Sequence, residues 1–207
     1  MAKQTNSNRA KGKNGKARCL WAGNAPDYIA YHDTEWGFPV ENDIRLFEKI
    51  CLEGFQSGLS WLTILRKREN FRDAFVGFDY ERLAKFTQQD VEKLMKNDGI
   101  VRHRQKIEAT INNAVAARDM AEELGSLATF FWRYEPSDAH FTNRKQRSCT
   151  PGSKKLAEDL KKRGWKFIGP TTAYSFMQAM GMVNDHVKNC FVHPLVEKAR
   201  QSFVRPL

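Results

Sequence analysis

Two cysteines and two histidines stand where they could hold a metal. His186 and Cys190 are four apart in VNDHVKNC, and on a helix that spacing stacks both side chains on one face. Cys19 and His32 lie far upstream, in CLWAGNAPDYIAYHD. Two thiolates and two imidazoles make a closed tetrahedral zinc set, which would tie the start of the fold to its last helix. The same residues also read as buried free thiols and surface imidazoles. Cys190 with His193 offers a rival spacing, C-x2-H. Cys51, between Ile50 and Leu52, reads as core, and Cys149 has only His140 near it in sequence.

The aromatic residues form a second group. Trp21, Tyr28, Tyr31 and Trp36 fall within sixteen residues, and Trp61 follows CLEGFQSGLS. Each alone is a core candidate. Tyr28 and Tyr31, however, share their segment with Asp27, His32, Asp33 and Glu35, which is too polar for a simple core helix, so an aromatic box around a planar ligand competes with the core reading. Glu53 sits nearby in ICLEGFQSG, beside the apolar face of its own helix and just before a glycine. There it is either an exposed residue of a last turn or a desolvated carboxyl, whose charged form burial disfavours.

The third group is the turn GWKFIGPTT, residues 164–172, with Lys161, Lys162, Arg163 and Lys166 around it. A glycine turn that feeds a helix presents backbone N–H groups and the positive end of a dipole, which suits phosphate. The basic turn DGIVRHRQK at 98–106 has similar chemistry.

The elements that must position these groups read as helices. Asn42 caps one, with Ile44, Phe47 and Cys51 on a face. Ser60 opens another, Thr87 followed by Asp90 resembles an N-cap, and a long helix runs from about His103 to Leu124. Ser153 begins a helix that ends at Arg163 with Gly164 beyond it, and Thr171 begins the next. Period-two alternation is almost absent. The expected fold is all-α, a compact helical bundle without a sheet. The polar stretch 135–152 is the expected place for any subdomain boundary.

Composition narrows the classes. In 207 residues, 41% hydrophobic, there is no apolar run of membrane-spanning length, which excludes an integral membrane protein. Four cysteines are too few for a disulfide scaffold and point to the reducing cytoplasm. Net charge is +10, of which six positive charges (Lys3, Arg9, Lys11, Lys13, Lys16, Arg18) fall in residues 1–18 without an acid, leaving about +4 for the body. That segment lacks the apolar core of a secretory signal. Residues 1–17 read as a disordered basic tail: a solvated leader, or an arm for phosphates. The partition is then a domain over 18–193 and a C-terminal extension over 194–207.

The strings YHDTEWG, CLEGFQSGLSW, GIVRHRQKI, LKKRGWKFIGPTTAYSFMQA and VNDHVKNC, in this order, resemble the type I 3-methyladenine DNA glycosylases, members of the helix-hairpin-helix glycosylases. The resemblance runs from about Arg18 to Cys190. It implies an all-α fold of the helix-hairpin-helix glycosylase type, a structural zinc joining the termini, and excision of 3-methyladenine, to some extent also 3-methylguanine, from alkylated double-stranded DNA. By resemblance the zinc ligands are Cys19, His32, His186 and Cys190. The base-contacting glutamate is Glu53, and the pocket aromatics are Trp21, Tyr28, Tyr31 and Trp61. The hairpin is the turn containing Gly169, with Lys166 and Thr171 beside it as DNA contacts. Leu59 belongs to the loop that probes the gap left by the flipped base. Phe55 departs from the family pattern, where a polar residue is usual. Asp185 lies where other helix-hairpin-helix glycosylases carry a catalytic Asp, a residue that the type I enzymes lack.

N3-alkylation puts a positive charge on adenine and weakens its bond to the sugar, so extraction and retention of the base matter more than a strong general acid. Aromatic faces favour a cationic ring, and Glu53 can accept from its exocyclic amine. No lysine lies in a motif that suggests Schiff-base chemistry, which predicts a monofunctional hydrolase, acting as a monomer. Two other classes use the same residues: a zinc-stapled DNA-binding module without catalysis, which has no need of Glu53 among aromatics, and a protein-binding module with an aromatic peptide pocket.

Overall fold

The computed structural model describes residues 9–11, 15–136 and 148–206. Most of the tail 1–17 and of the loop 135–152 therefore lies outside the described residues, as does His140. Helices dominate. In chain order they are α1 (Pro26–Thr34), α2 (Asp43–Gln56), α3 (Trp61–Arg66), α4 (Arg68–Ala74), α5 (Tyr80–Leu83), α6 (Gln88–Lys96), α7 (Arg104–Leu124), α8 (Leu127–Trp132), α9 (Pro151–Lys162), α10 (Pro170–Ala179) and α11 (His193–Ser202). Among the described residues no helix is long and apolar enough to cross a membrane.

The expected absence of a sheet needs one correction. Before α1, β1 (Arg9–Lys11) pairs antiparallel with β2 (Ala17–Cys19), in register Arg9 with Cys19. A ribbon of three residues per strand is too short to give a period-two signal.

Helix ends follow their capping residues. The Asn42 side chain accepts from the Arg45 N–H, Ser60 from Thr63, and Thr87 with Asp90 closes a capping box. Helix α9 starts two residues before Ser153, because Thr150 is its cap and Ser153 answers from the third position, with Pro151 at the first turn. Likewise Pro170, not Thr171, opens α10.

Helix α2 is the axis of the fold. Every residue from Leu46 to Phe55 is buried, including Glu48, Lys49 and Glu53. Its apolar stripe meets α7, α8 and α10, while α3 and the turn after α4 cover its other sides. Phe55 does not line the cavity bordered by Tyr31 and Trp61. Its ring lies 4.7 Å from Phe71 and 5.8 Å from Phe75, in an aromatic core. A smaller apolar cluster of Cys19, Cys190, Val192 and Val196 joins the first strands to α11.

Candidate functional site

The two cysteines and two histidines come together. Cys19, His32, His186 and Cys190 are all buried, and their ligand atoms lie within 4.8 Å of one another. Cys19 Sγ is 3.7 Å from His186 Nδ1, and Cys190 Sγ is 3.6 Å from both His186 Nδ1 and His32 Nε2. A tetrahedral ion with the usual Zn–S and Zn–N lengths separates its ligand atoms by roughly 3.3–3.8 Å. The group is therefore of a size to hold a metal ion.

The supports of this group are as specific as its members. His32 Nδ1 lies 2.8 Å from Asp33 Oδ1, and Arg18 holds the same carboxylate at 2.7 Å. Burial works against the ionised form of Asp33, yet hydrogen bonds from Arg18 and His32 keep its pKa below the ordinary value. His186 Nε2 lies 2.9 Å from the Trp36 carbonyl oxygen. In each histidine one nitrogen is thus engaged by an acceptor and the other faces the cysteines, which sets tautomer and ring orientation. Gly37 makes room for this: its φ is +90°, and a Cβ there would stand 3.3 Å from the His186 ring. The thiol of Cys190 is held far below its ordinary pKa, first by a hydrogen bond from Cys19, then by His186 and His32, against its burial.

The i, i+4 spacing of His186 and Cys190 achieves its purpose without a helix. Residues 184–190 form an irregular loop with a turn at its end, closed by the Cys190 N–H donating to Val187 O at 2.7 Å. His193 is not in the group; it opens α11, and its N–H donates to Cys190 O. Asp185 accepts from Tyr174 and Gln178 and so fixes the start of this loop to α10.

Beside this cluster lie the aromatics. Helix α1 begins with Pro26 and carries Tyr28, Tyr31 three residues on, and His32 next to it. Trp21, from a short 3-10 turn after β2, packs 5.1 Å from Tyr28, 5.1 Å from His32 and 4.9 Å from Trp36. It is the wall shared by the metal-size group and the aromatic box. Tyr31 stands 5.5 Å from Trp61.

Glu53 is buried, not an exposed last-turn residue. Its partner was not anticipated from the sequence. Lys49, one turn earlier on α2 and equally buried, places Nζ 2.8 Å from Glu53 Oε1, donates to the Tyr31 hydroxyl at 2.7 Å, and stands 3.3 Å above the Trp61 ring centre. Three helices thus converge on one ammonium. Burial, partly offset by Glu53, lowers the Lys49 pKa to about 8. The Trp61 indole N–H is buried without a hydrogen-bond partner among the described residues, as is that of Trp165.

A matching family model agrees with this architecture: the methyladenine glycosylase model covers residues 21–193. The chain belongs to the methyladenine glycosylase family. DNA-3-methyladenine glycosylase 1 of Escherichia coli (strain K12) is 47% identical over 181 residues, 86% of this chain and 97% of the relative. DNA-3-methyladenine glycosylase of Haemophilus influenzae is 46% identical over 84% of this chain and 96% of its own. Among solved structures, a crystal structure of 3-methyladenine DNA glycosylase I has TM-score 0.80 and 50% identity, covering 86% of this chain and all of that one. A 3-methyladenine DNA glycosylase I from Staphylococcus aureus, described for its recognition of 3-methyladenine, has TM-score 0.79 at 37% identity, covering 86% and 96%.

The expected DNA-contact residues lie apart from the box, on the surface. Leu59 is exposed at the tip of the turn between α2 and α3, where Gly58 takes φ +84°. Lys166, Gly169 and Thr171 are exposed in the turn from α9 to α10 and at the start of α10. This turn is clamped from α7: Asn113 accepts from the Lys166 N–H at 2.8 Å and donates to its carbonyl, and Asn112 donates to Gly164 O. In the second basic turn Lys106 points inward, donating to Phe55 O and Ser57 O at the end of α2, so it is no surface phosphate contact.

Proposed function

We propose that this family member is a monofunctional DNA-3-methyladenine glycosylase: it flips 3-methyladenine, and also 3-methylguanine, out of alkylated double-stranded DNA and hydrolyses the N-glycosidic bond, leaving an abasic site. One observation carries the reading. Glu53 of α2, Tyr31 of α1 and Trp61 of α3 converge on a single positive charge. A carboxylate among aromatic rings is a cage for a flat cation.

In the proposed reaction the flipped base lies against Trp61 and Tyr31, with Tyr28 and Trp21 completing the wall. Glu53 accepts from the exocyclic amine and offsets the ring's charge. The C1′–N bond breaks, its electron pair leaves with the base, and water adds to the oxocarbenium-like sugar and gives up a proton. The alkylated base is its own activated leaving group, so Glu53 binds and need not donate a proton.

The four-residue group of Cys19, His32, His186 and Cys190 is assigned to one structural zinc. Two cysteines and two histidines fill the coordination shell and leave no open position for water. The exposed start of α10, with Lys166, Gly169 and Thr171, takes the role of the DNA-binding hairpin, through phosphates, and Leu59 enters the gap that the base vacates. The active unit is a monomer, a glycosylase domain over 18–193 with a C-terminal extension, working on the nucleoid in the cytoplasm.

The test is release of free base from methylated duplex DNA, with the product identified by chromatography. Folded, metal-loaded protein that releases no 3-methyladenine would overturn the reading.

A further inference from the structure

The groups assigned to the base are already occupied. The Lys49 ammonium pairs with Glu53 at 2.8 Å, donates to Tyr31 at 2.7 Å and stands 3.3 Å over the centre of Trp61. That last distance is van der Waals contact, so a purine cannot lie on this part of the indole face while the ammonium stays. Lys49 and Trp61 also border a cavity of about 150 Å³, whose lining includes Thr34, Glu35 and Glu48. The cavity offers room to a lysine that leaves the cage, and carboxylates that it would share with Arg45, Arg68 and Arg72.

We propose that Lys49 is the resident cation of the base cage, filling it in the free protein, and that a flipped base enters by displacing this ammonium into the adjoining cavity toward Glu35 and Glu48. The inference rests on the assignment of Glu53, Tyr31 and Trp61 to the base. Its consequence is a uniform threshold. Every base, damaged or not, must replace the same contacts, so Lys49 weakens all of them by one factor, while preference for a cation remains with Glu53. An undamaged base sampled from DNA is then released rather than held.

The displacement has a pH signature. Lys49 is faced by Glu53 on its own helix, Tyr31 on α1 with Tyr28 and Glu35 near it, Arg68 on α4, and Glu48 and Arg45 on α2 around the cavity. In the cage, burial first and Arg68 next pull its pKa down to about 8, against Glu53. Burial raises Tyr28 and Tyr31 above their ordinary values, so they stay neutral in that range. A displaced lysine returns toward its ordinary value near 10.4. Displacement therefore takes up a proton between about pH 8 and 10, and affinity falls as pH rises through that window. A lysine that stayed in place beside the neutral free base would keep its lowered pKa, and affinity would not fall with pH across this window.

The experiment titrates the whole metal-loaded chain with 3-methyladenine and with adenine at pH 7, following tryptophan fluorescence, and repeats the 3-methyladenine titration from pH 7 to 10. Lys49→Met is expected to bind both bases at least fivefold more tightly, with their ratio unchanged within twofold, and to lose the pH dependence of the natural protein. Equal or weaker binding by Lys49→Met, or a gain for only one base, overturns the proposal. Should the variant not fold, the natural protein's profile decides alone: affinity falling above pH 8 supports displacement, and affinity flat or rising with pH overturns it. A natural protein that binds no 3-methyladenine at any pH sinks the glycosylase reading, and this inference with it; one that binds it without the effect of Lys49 sinks only this inference.

Discussion

Cys19 Sγ lies 3.7 Å from His186 Nδ1 although 167 residues separate them. The contact closes the fold on itself: β2 and α1 are held against the loop before α11, and Trp21, from the same segment as Cys19, forms the wall of the aromatic box. A metal ion bound only by the native arrangement stabilises it by about 4 kcal/mol at a thousandfold excess over its dissociation constant. One zinc per chain is therefore expected by metal analysis of gently purified protein. His186→Ala should lower the melting temperature and the bound zinc together, and chelation should reproduce most of the loss in the natural protein. Full zinc occupancy in His186→Ala would remove His186 from the ligand set.

Much of this was legible beforehand, and the exceptions have physical causes. Caps at Asn42, Ser60 and Thr87 are local signals, and the helices started there. Helix α1 was not readable by period, because Asp27, His32 and Asp33 interrupt its apolar side; its evidence was instead Pro26 at the first turn. The metal-size group was visible as residue types but not as a shape, since 184–190 folds as an irregular loop and not a helix. Lys49 was missed because a lysine in an apolar helix reads as exposed. The available signal was its position four residues before Glu53, which on a helix buried on all sides can only mean a buried pair.

A second prediction concerns acid stability. Glu35 ends α1 and receives Arg68 at 2.6 and 3.0 Å, tying α1 to α4. Burial works against its ionised form, yet the hydrogen bonds and charge of Arg68, then those of Arg45, hold its pKa below the ordinary 4.5. A group whose pKa is lower folded than unfolded adds stability above the unfolded value, and this is lost as pH falls through the folded one. Glu35→Gln should therefore be less stable than the natural protein at pH 6, with the difference shrinking toward pH 3. Melting temperatures across that range would check it; a difference that stays constant with pH would show that the ion pair is not its source.

Affinity for undamaged duplex DNA should be governed by phosphate contacts, with log affinity falling against log salt by about 0.9 per phosphate neutralised. Lys166 is exposed on the turn that Asn113 clamps. Lys166→Gln is expected to flatten the slope by about 0.9 and leave the released base unchanged. An unaltered slope, measured by fluorescence anisotropy across salt, would place the hairpin contact elsewhere.

Glu53→Gln tests the centre of the proposed chemistry. Glutamine keeps the shape of glutamate but loses the charge and exchanges one acceptor oxygen for a donor. The substitution acts twice. It removes the charge-assisted hydrogen bond to the base, worth roughly 1–3 kcal/mol, so single-turnover excision should fall about 5- to 150-fold. It also leaves the Lys49 ammonium without its carboxylate. Breaking a buried pair commonly costs about 3–5 kcal/mol. Here the cost should be smaller, because Lys49 has a pKa of only about 8 in the cage and sheds its proton readily once Glu53 no longer holds it. The variant should fold, keep its zinc and bind DNA through the hairpin, with a lower melting temperature that recovers partly as pH rises from 7 to 9. Excision at the natural rate would show Glu53 to be structural, and selection of the base would then rest on Trp61 and the tyrosines alone.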